Sequence, residues 1–137
     1  MEQQHVERVV APGVDARTRP ATLTWWGHSS VELRLDGVRV VVDPLLRRHV
    51  GPLASTGHRP RDLDVDVVLL SHLHRDHTDL PSVRKFGRRT TVVAPPGGGD
   101  LVARGARGPV TELAVGEGIR VGDVTVISVP ASSKYAV

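Results

Sequence analysis

The spacing of apolar and polar positions changes several times along this chain, and each change predicts an element. Residues 1–20, MEQQHVERVVAPGVDARTRP, show no periodicity and close on Pro20, which predicts a mobile N-terminal arm with His5 exposed. From Thr22 the pattern alternates or nearly so, in Thr22-Leu23-Thr24-Trp25-Trp26 and again in Val31-Glu32-Leu33-Arg34-Leu35, as half-buried strands do. Asp36-Gly37 supplies a tight hairpin turn into a returning strand, Val38 to Val42, which Asp43-Pro44 terminates. The pair Trp25-Trp26 fits core and edge packing. Leu45 to Asp64 is irregular, rich in Arg, Gly and Pro, and predicts a flap on which His49 and His58 are solvated.

Short apolar runs then predict buried strands at Val67–Leu70 and Thr90–Ala94, followed by Val110–Leu113, Gly118–Val121 and Val124–Pro130, with a hairpin turn at Gly122-Asp123. Two short helices are expected. Leu80 to Phe86 has Asp79 as N-cap and Gly87 as its stop, and Asp100 to Arg104 is closed by Gly105. The run Pro95-Pro96-Gly97-Gly98-Gly99-Asp100 invites a phosphate-binding reading, but no Gly-Lys-Ser/Thr follows, so it predicts a turn into the second helix.

The chemistry concentrates where the Val67–Leu70 strand ends. His72, His74, Asp76 and His77 fall within six residues there, at the kind of strand end where α/β sheets build their sites. His72 and His74 are two apart, so in an extended segment both imidazoles project to one side and can close on one ion. Asp76 and His77 are adjacent and point elsewhere, towards a second ion. All are nitrogen or oxygen donors in a chain without cysteine, which suits zinc (Zn2+), manganese (Mn2+) or iron (Fe2+) and argues against a soft thiolate site. A solvated loop that merely collects polar residues would account for one histidine better than for this set.

Ser71-His72-Leu73-His74-Arg75-Asp76-His77 matches the HxHxDH signature and resembles the metallo-β-lactamase superfamily. The flanks Leu23-Thr24-Trp25-Trp26-Gly27-His28-Ser29-Ser30-Val31-Glu32-Leu33 and Asp36 to Pro44 look like the branch of metal-dependent hydrolases holding ascorbate-6-phosphate lactonase and N-acylphosphatidylethanolamine phospholipase D. The resemblance spans about Thr22 to Ala131. It implies an α/β (α+β sandwich) fold, the N-terminal half of an αββα domain, with a mixed β-sheet and short helices on one face. The expected organisation is therefore the arm at 1–20 and a partial metallo-β-lactamase-fold domain at 21–137.

By that resemblance His72 and His74 bind metal one, while Asp76 and His77 bind metal two. Asp76 also orients the nucleophile, and Asp43 lies under the metal loop and holds it by hydrogen bonds. A metal-bound hydroxide of lowered proton affinity would attack an ester, lactone or phosphodiester of a small-molecule substrate. His28, after Gly27 at a strand end, reads equally as substrate-facing or as a satisfied structural histidine. In the branch a strand ending like Val129-Pro130-Ala131 is followed almost at once by a histidine ligand. Here Ser132 to Val137 follow instead, without histidine or aspartate, so the resemblance implies a truncated domain, weakly active or inactive as it stands. A non-catalytic metal-binding or interaction module is the alternative. A truncated sheet would leave apolar surface to be covered, and two copies pairing across it would form a homodimer with sites completed in trans.

Composition narrows this further. The 137 residues are 39% hydrophobic and 24% charged, with mean hydropathy −0.13, which is the profile of one soluble globular domain. No apolar run approaches 18 residues and the N-terminus has no apolar h-region, so neither a membrane span nor a signal peptide is expected. The lack of cysteine is compatible with a reducing, cytoplasmic location. Net charge is +3, with the arginines scattered and only 3% aromatic residues. That argues against a nucleic-acid partner and against the metal-dependent nuclease that the same signature also allows.

Overall fold

The computed structural model describes residues 20–54 and 60–131. The arm at 1–19 with His5, residues 55–59 with His58, and the tail after Ala131 lie outside the described residues. The chain forms strands β1 (Thr22–Gly27), β2 (Ser30–Leu35), β3 (Val38–Val42), β4 (His49–Val50), β5 (Leu53–Ala54) and β6 (Val67–Leu69), then helix α1 (Leu80–Val83). Strand β7 (Thr91–Ala94), helix α2 (Gly99–Ala103), and strands β8 (Val110–Glu112), β9 (Gly118–Val121) and β10 (Val124–Ile127) follow.

Six strands form a mixed sheet in the order β1-β2-β3-β6-β7-β8. β1–β2 and β2–β3 are antiparallel, whereas β3–β6, β6–β7 and β7–β8 are parallel. Only β2 therefore runs against the rest, and β1, β3, β6, β7 and β8 all deliver their carboxyl ends to one edge. Composition explains the placement. The near-continuous valine runs of β3, β6 and β7 suit strands covered on both faces, while β1 and β2 alternate as outer strands do. Asp36 (φ 46°) and Gly37 (φ 79°) make the β2–β3 turn in the left-handed region that two-residue hairpins demand.

One face of the sheet carries Val41, Val68, Val92 and Trp26 against Val83 and Phe86 of the α1 segment and Val102 of α2. The other carries Val38, Val40, Val67 and Val93, and this face is not bare. The β9–β10 hairpin lays Ile119, Val121, Val124 and Val126 on it. These four are half-buried, and the apolar area they lose to water, at about 25 cal/mol per Å², helps hold in place a two-stranded hairpin that is marginal alone.

Several boundaries shift from those the sequence predicts. Asp79 does cap α1, its carboxylate accepting from Ser82 N (3.2 Å) and Ser82 Oγ (2.5 Å). The helix itself ends at Val83 and tightens into i→i+3 bonds from Lys85 N to Ser82 O (3.0 Å) and Phe86 N to Val83 O (3.2 Å). Strand β10 ends at Ile127, its ladder finishing with Ser128 N donating to Glu117 O at 2.8 Å; Pro130 brings no N–H to extend it. The expected irregular flap contains a small hairpin, β4–β5, because Gly51 adopts φ 57° and turns the chain back on itself. Among the described residues no helix is long and apolar enough to cross a membrane.

Candidate metal centre

The carboxyl edge of the sheet gathers residues far apart in sequence: His28 after β1, Asp43 after β3, and the segment Ser71–Thr78 after β6. Local backbone aims each of them. A register shift between Trp25 and Gly27 breaks the β1 ladder, and with Gly27 at φ 104° and His28 at φ 51° it turns the His28 imidazole towards the metal loop. Trp25 holds that turn, its indole N–H donating to the His28 carbonyl at 2.9 Å. Asp43 is also left-handed, at φ 44°. Its backbone is pinned on both sides, by Asp43 N to Leu69 O (2.9 Å) and by Ser30 Oγ donating to Asp43 O (2.7 Å). A strained conformation fixed this firmly is typical of a residue whose direction matters.

Asp43 is 3% exposed, and its carboxylate accepts three hydrogen bonds. Ser71 N reaches Oδ1 at 2.8 Å, while Ser71 Oγ at 2.5 Å and His77 Nδ1 at 2.8 Å reach Oδ2. A carboxylate can only accept, so Ser71 Oγ and His77 Nδ1 both carry the protons. Ser71 Oγ also lies 2.9 Å from His72 Nδ1, and with its own proton spent on Asp43 it accepts there. One aspartate thus sets which ring nitrogen donates, in His77 directly and in His72 through Ser71, and turns Nε2 of each ring outward.

His77 is the pivot. Its Nε2 lies 3.5 Å from Asp76 Oδ2, which is itself 3.0 Å from His28 Nε2. Among the described residues, two sets of ligand atoms are close enough to share an ion, and both include His77: His28 with Asp76 and His77, and Asp43 with His72 and His77. In the second set the three bonds already made by Asp43 suit it to orienting the histidines rather than ligating. The His72 ring lies 4.0 Å from that of His77 and 4.7 Å from that of His74. His74 is exposed and belongs to neither set. Of the pairs expected from sequence spacing, Asp76 and His77 approach one another at 3.5 Å and the His72 and His74 rings are neighbours; His72 also comes close to His77, because the turn bonds His77 N to His74 O (3.0 Å) and Thr78 N to His74 O (2.7 Å) fold the loop back towards it.

Burial, reinforced by the neighbouring His77 and His74, lowers the pKa of His72 and keeps it in the neutral form that a ligand needs. Burial alone would raise Asp76, but its hydrogen bond with His28 and the adjoining backbone and histidine charges outweigh that and hold its carboxyl below the ordinary range. Imidazoles beside the Asp76 carboxylate form a mixed N/O donor set that fits a divalent cation.

Sequence reasoning reached His72, His74, Asp76, His77, Asp43 and His28 but missed Ser71 and Ser30. Ser71 carries a readable signal, a hydroxyl between a buried strand end and the first histidine. Ser30 carries none, because its Oγ links Asp43 O to Leu45 N (2.8 Å) only once β2 and β3 are paired.

A family model described as the beta-lactamase superfamily domain matches residues 22–135. A UPF0173 metal-dependent hydrolase of Ligilactobacillus salivarius is 35% identical over 71 residues, covering 51% of this chain and 31% of that protein. An uncharacterised protein of Mycobacterium bovis is 32% identical over 122 residues, covering 80% of this chain and 33% of its own length. The chain thus spans about a third of these relatives. Among solved structures, the diiron β-hydroxylase CmlA of Streptomyces venezuelae superposes with a TM-score of 0.59 at 24% identity, over 79% of this chain and 23% of that one. A candidate metal-dependent hydrolase of Parabacteroides distasonis gives 0.63 at 19% identity, over 93% and 51%. At these identities the structural likeness speaks for the fold.

Proposed function

The chain belongs to the beta-lactamase superfamily, and from that membership we propose that it carries the histidine-rich half of a metal-dependent hydrolase acting on an ester, lactone or phosphodiester. The observation that carries this reading is the double role of His77, bound through Nδ1 to buried Asp43 and presenting Nε2 beside Asp76. His72, His74, Asp76 and His77 would hold metal, with His28 joining them on the side of Asp76 and His77, where its Nε2 lies 3.0 Å from Asp76 Oδ2. Zinc is the metal proposed; manganese or iron suits the same donors, and the solved relative CmlA is described as a diiron enzyme. A bound divalent cation supplies positive charge that lowers the proton affinity of water and polarises a carbonyl or phosphoryl oxygen.

The chain's own residues do the rest. Asp43 fixes the ring planes of His77 and, through Ser71, of His72, so both Nε2 lone pairs are preset before anything binds. Asp76, held ionised, orients the attacking water by accepting its proton-bearing edge, and His28 at 3.0 Å keeps that carboxylate from turning away. Arg47 ties the start of the flap to the far end of the metal loop, its Nε donating to Asp79 Oδ2 at 3.0 Å, and Leu46 N donates to Ser82 Oγ at 2.8 Å.

The test is turnover of a p-nitrophenyl ester, an aliphatic lactone and bis(p-nitrophenyl) phosphate by zinc- or manganese-loaded protein. Metal-dependent turnover of at least one substrate, lost in Asp76→Asn, is expected. Metal-loaded protein that turns over none of the three contradicts the proposal.

A further inference from the structure

The glycine run after β7 reads as a turn in the sequence, yet two of its three glycines lie close against side chains from other elements. Gly97 sits at φ 80°, where a side chain is strained. A Cβ on Gly98 would lie 2.7 Å from Leu73 Cδ2 and 3.1 Å from Pro95 O. A Cβ on Gly99 would lie 2.7 Å from Glu112 Oε2. The loop is thus pressed between two side chains from different elements. Leu73 stands between His72 and His74 in the metal loop, and Glu112 ends β8.

Glu112 grips the loop through its backbone. Oε1 accepts from Gly97 N at 2.7 Å and Oε2 from Gly99 N at 2.9 Å, bracketing the glycine that meets Leu73. These two amides hold the carboxyl below its ordinary range, so it is ionised and accepts at both oxygens at neutral pH. Reversing the chain would need only the positive φ of Gly97. The close approach at Gly98 is a separate feature: a side chain at position 98 would meet the Leu73 tip, which would have to move.

We propose that Glu112 is a positioning residue of the metal centre: its carboxylate fixes the Gly97–Gly99 loop, the loop seats Leu73, and Leu73 sets how His72 and His74 stand. This rests on the reading of His72 as a ligand, but its first readout does not need a metal. Three outer contacts in series would then govern the histidines from the β7–β8 side, as Asp43 does from beneath.

The experiment compares wild type, Glu112→Gln, Leu73→Ala and the double variant by the imidazole 1H–13C NMR signals of the metal-free protein, then by zinc affinity in a chelator competition. Glu112→Gln cannot accept at both oxygens, so one glycine amide loses its partner. Displaced or broadened His72 and His74 signals are expected in both single variants, with zinc affinity down about tenfold. The double variant falls no further than the weaker single one, because the two residues act through one chain of contacts. Unchanged imidazole signals, or losses that add in full, overturn the proposal. Should Glu112→Gln lose its fold on thermal melting, Leu73→Ala, at a residue 37% exposed, decides by the same signals. Wild-type protein that takes up no zinc contradicts the hydrolase reading, while the imidazole signals still judge Glu112.

Discussion

Arg39 and Asp43 stand four residues apart at opposite ends of one strand, and the buried charge at each end is answered in opposite ways. At the Arg39 end the guanidinium spends every donor. Nε (2.7 Å) and Nη2 (3.3 Å) reach the Glu32 carboxylate, Nη1 reaches Asp62 Oδ2 (2.9 Å) and Asp64 O (3.1 Å), and Nη2 reaches Asp62 O (2.9 Å). Charge meets fixed charge, and nothing is left over for a ligand. At the Asp43 end the buried carboxylate meets, among the described residues, no arginine or lysine; its partners there are Ser71 and His77. Each imidazole is held there by one nitrogen, and His77 turns the other towards Asp76. The first arrangement closes a structure, whereas the second leaves coordination capacity open on a rigid frame.

The sharpest way to break the comparison is to remove one partner at the closed end. Arg39→Met leaves Glu32 buried beside only the more exposed Arg34, and it is expected to cost about 3–5 kcal/mol in urea denaturation. The Glu32→Leu, Arg39→Met pair should recover most of that loss. A smaller effect in stability but a larger one in ligation is expected at the other end. Asp43→Ala should lose about 1–3 kcal/mol and about 10–100-fold in zinc affinity, measured by denaturation and by chelator competition. If Arg39→Met weakened zinc binding as much as Asp43→Ala, the two ends would not differ in kind.

Acid should separate the two ends more gently. Burial alone would raise Glu32, but its bonds and charge interactions with Arg39 and Arg34 outweigh that and set its folded pKa below the ordinary 4.5. The ion pair therefore contributes fully above about pH 4.5, and its contribution is lost as pH falls through the lower, folded value. Denaturation midpoints between pH 6 and pH 3 should show this slope in the wild type, and the Glu32→Leu, Arg39→Met pair should show a shallower one. The smallest effect is expected from Ser71→Ala, which removes one relay to His72 while His77 keeps its direct bond. A few-fold loss in zinc affinity, from a bond worth about 0.5–1.5 kcal/mol, should leave stability nearly untouched.

Most of the sheet was legible because its strands announce themselves locally, by alternation in β1 and β2 and by valine runs in β3, β6 and β7. The turn at Asp36-Gly37 and the Asp79 cap were legible for the same reason, each depending on a residue's own chemistry. What depended on tertiary contact was not. The metal-loop residues are visible as a motif, but which of them approach one another is set by the fold-back at His74 and by Asp43, 34 residues before His77. The link from His28 to Asp76 crosses 48 residues. Gly97 to Gly99 read as a turn because their neighbours Leu73 and Glu112 come from other elements.

The central claim, that this edge of the sheet is a metal centre pivoting on His77, is tested most directly by zinc bound per chain at equilibrium in chelator-stripped wild type and His77→Ala. Wild type is expected to take up zinc, and His77→Ala to lose at least about tenfold in affinity while keeping its thermal transition. Wild type that takes up no zinc, or His77→Ala that binds it as tightly as wild type, would contradict the account.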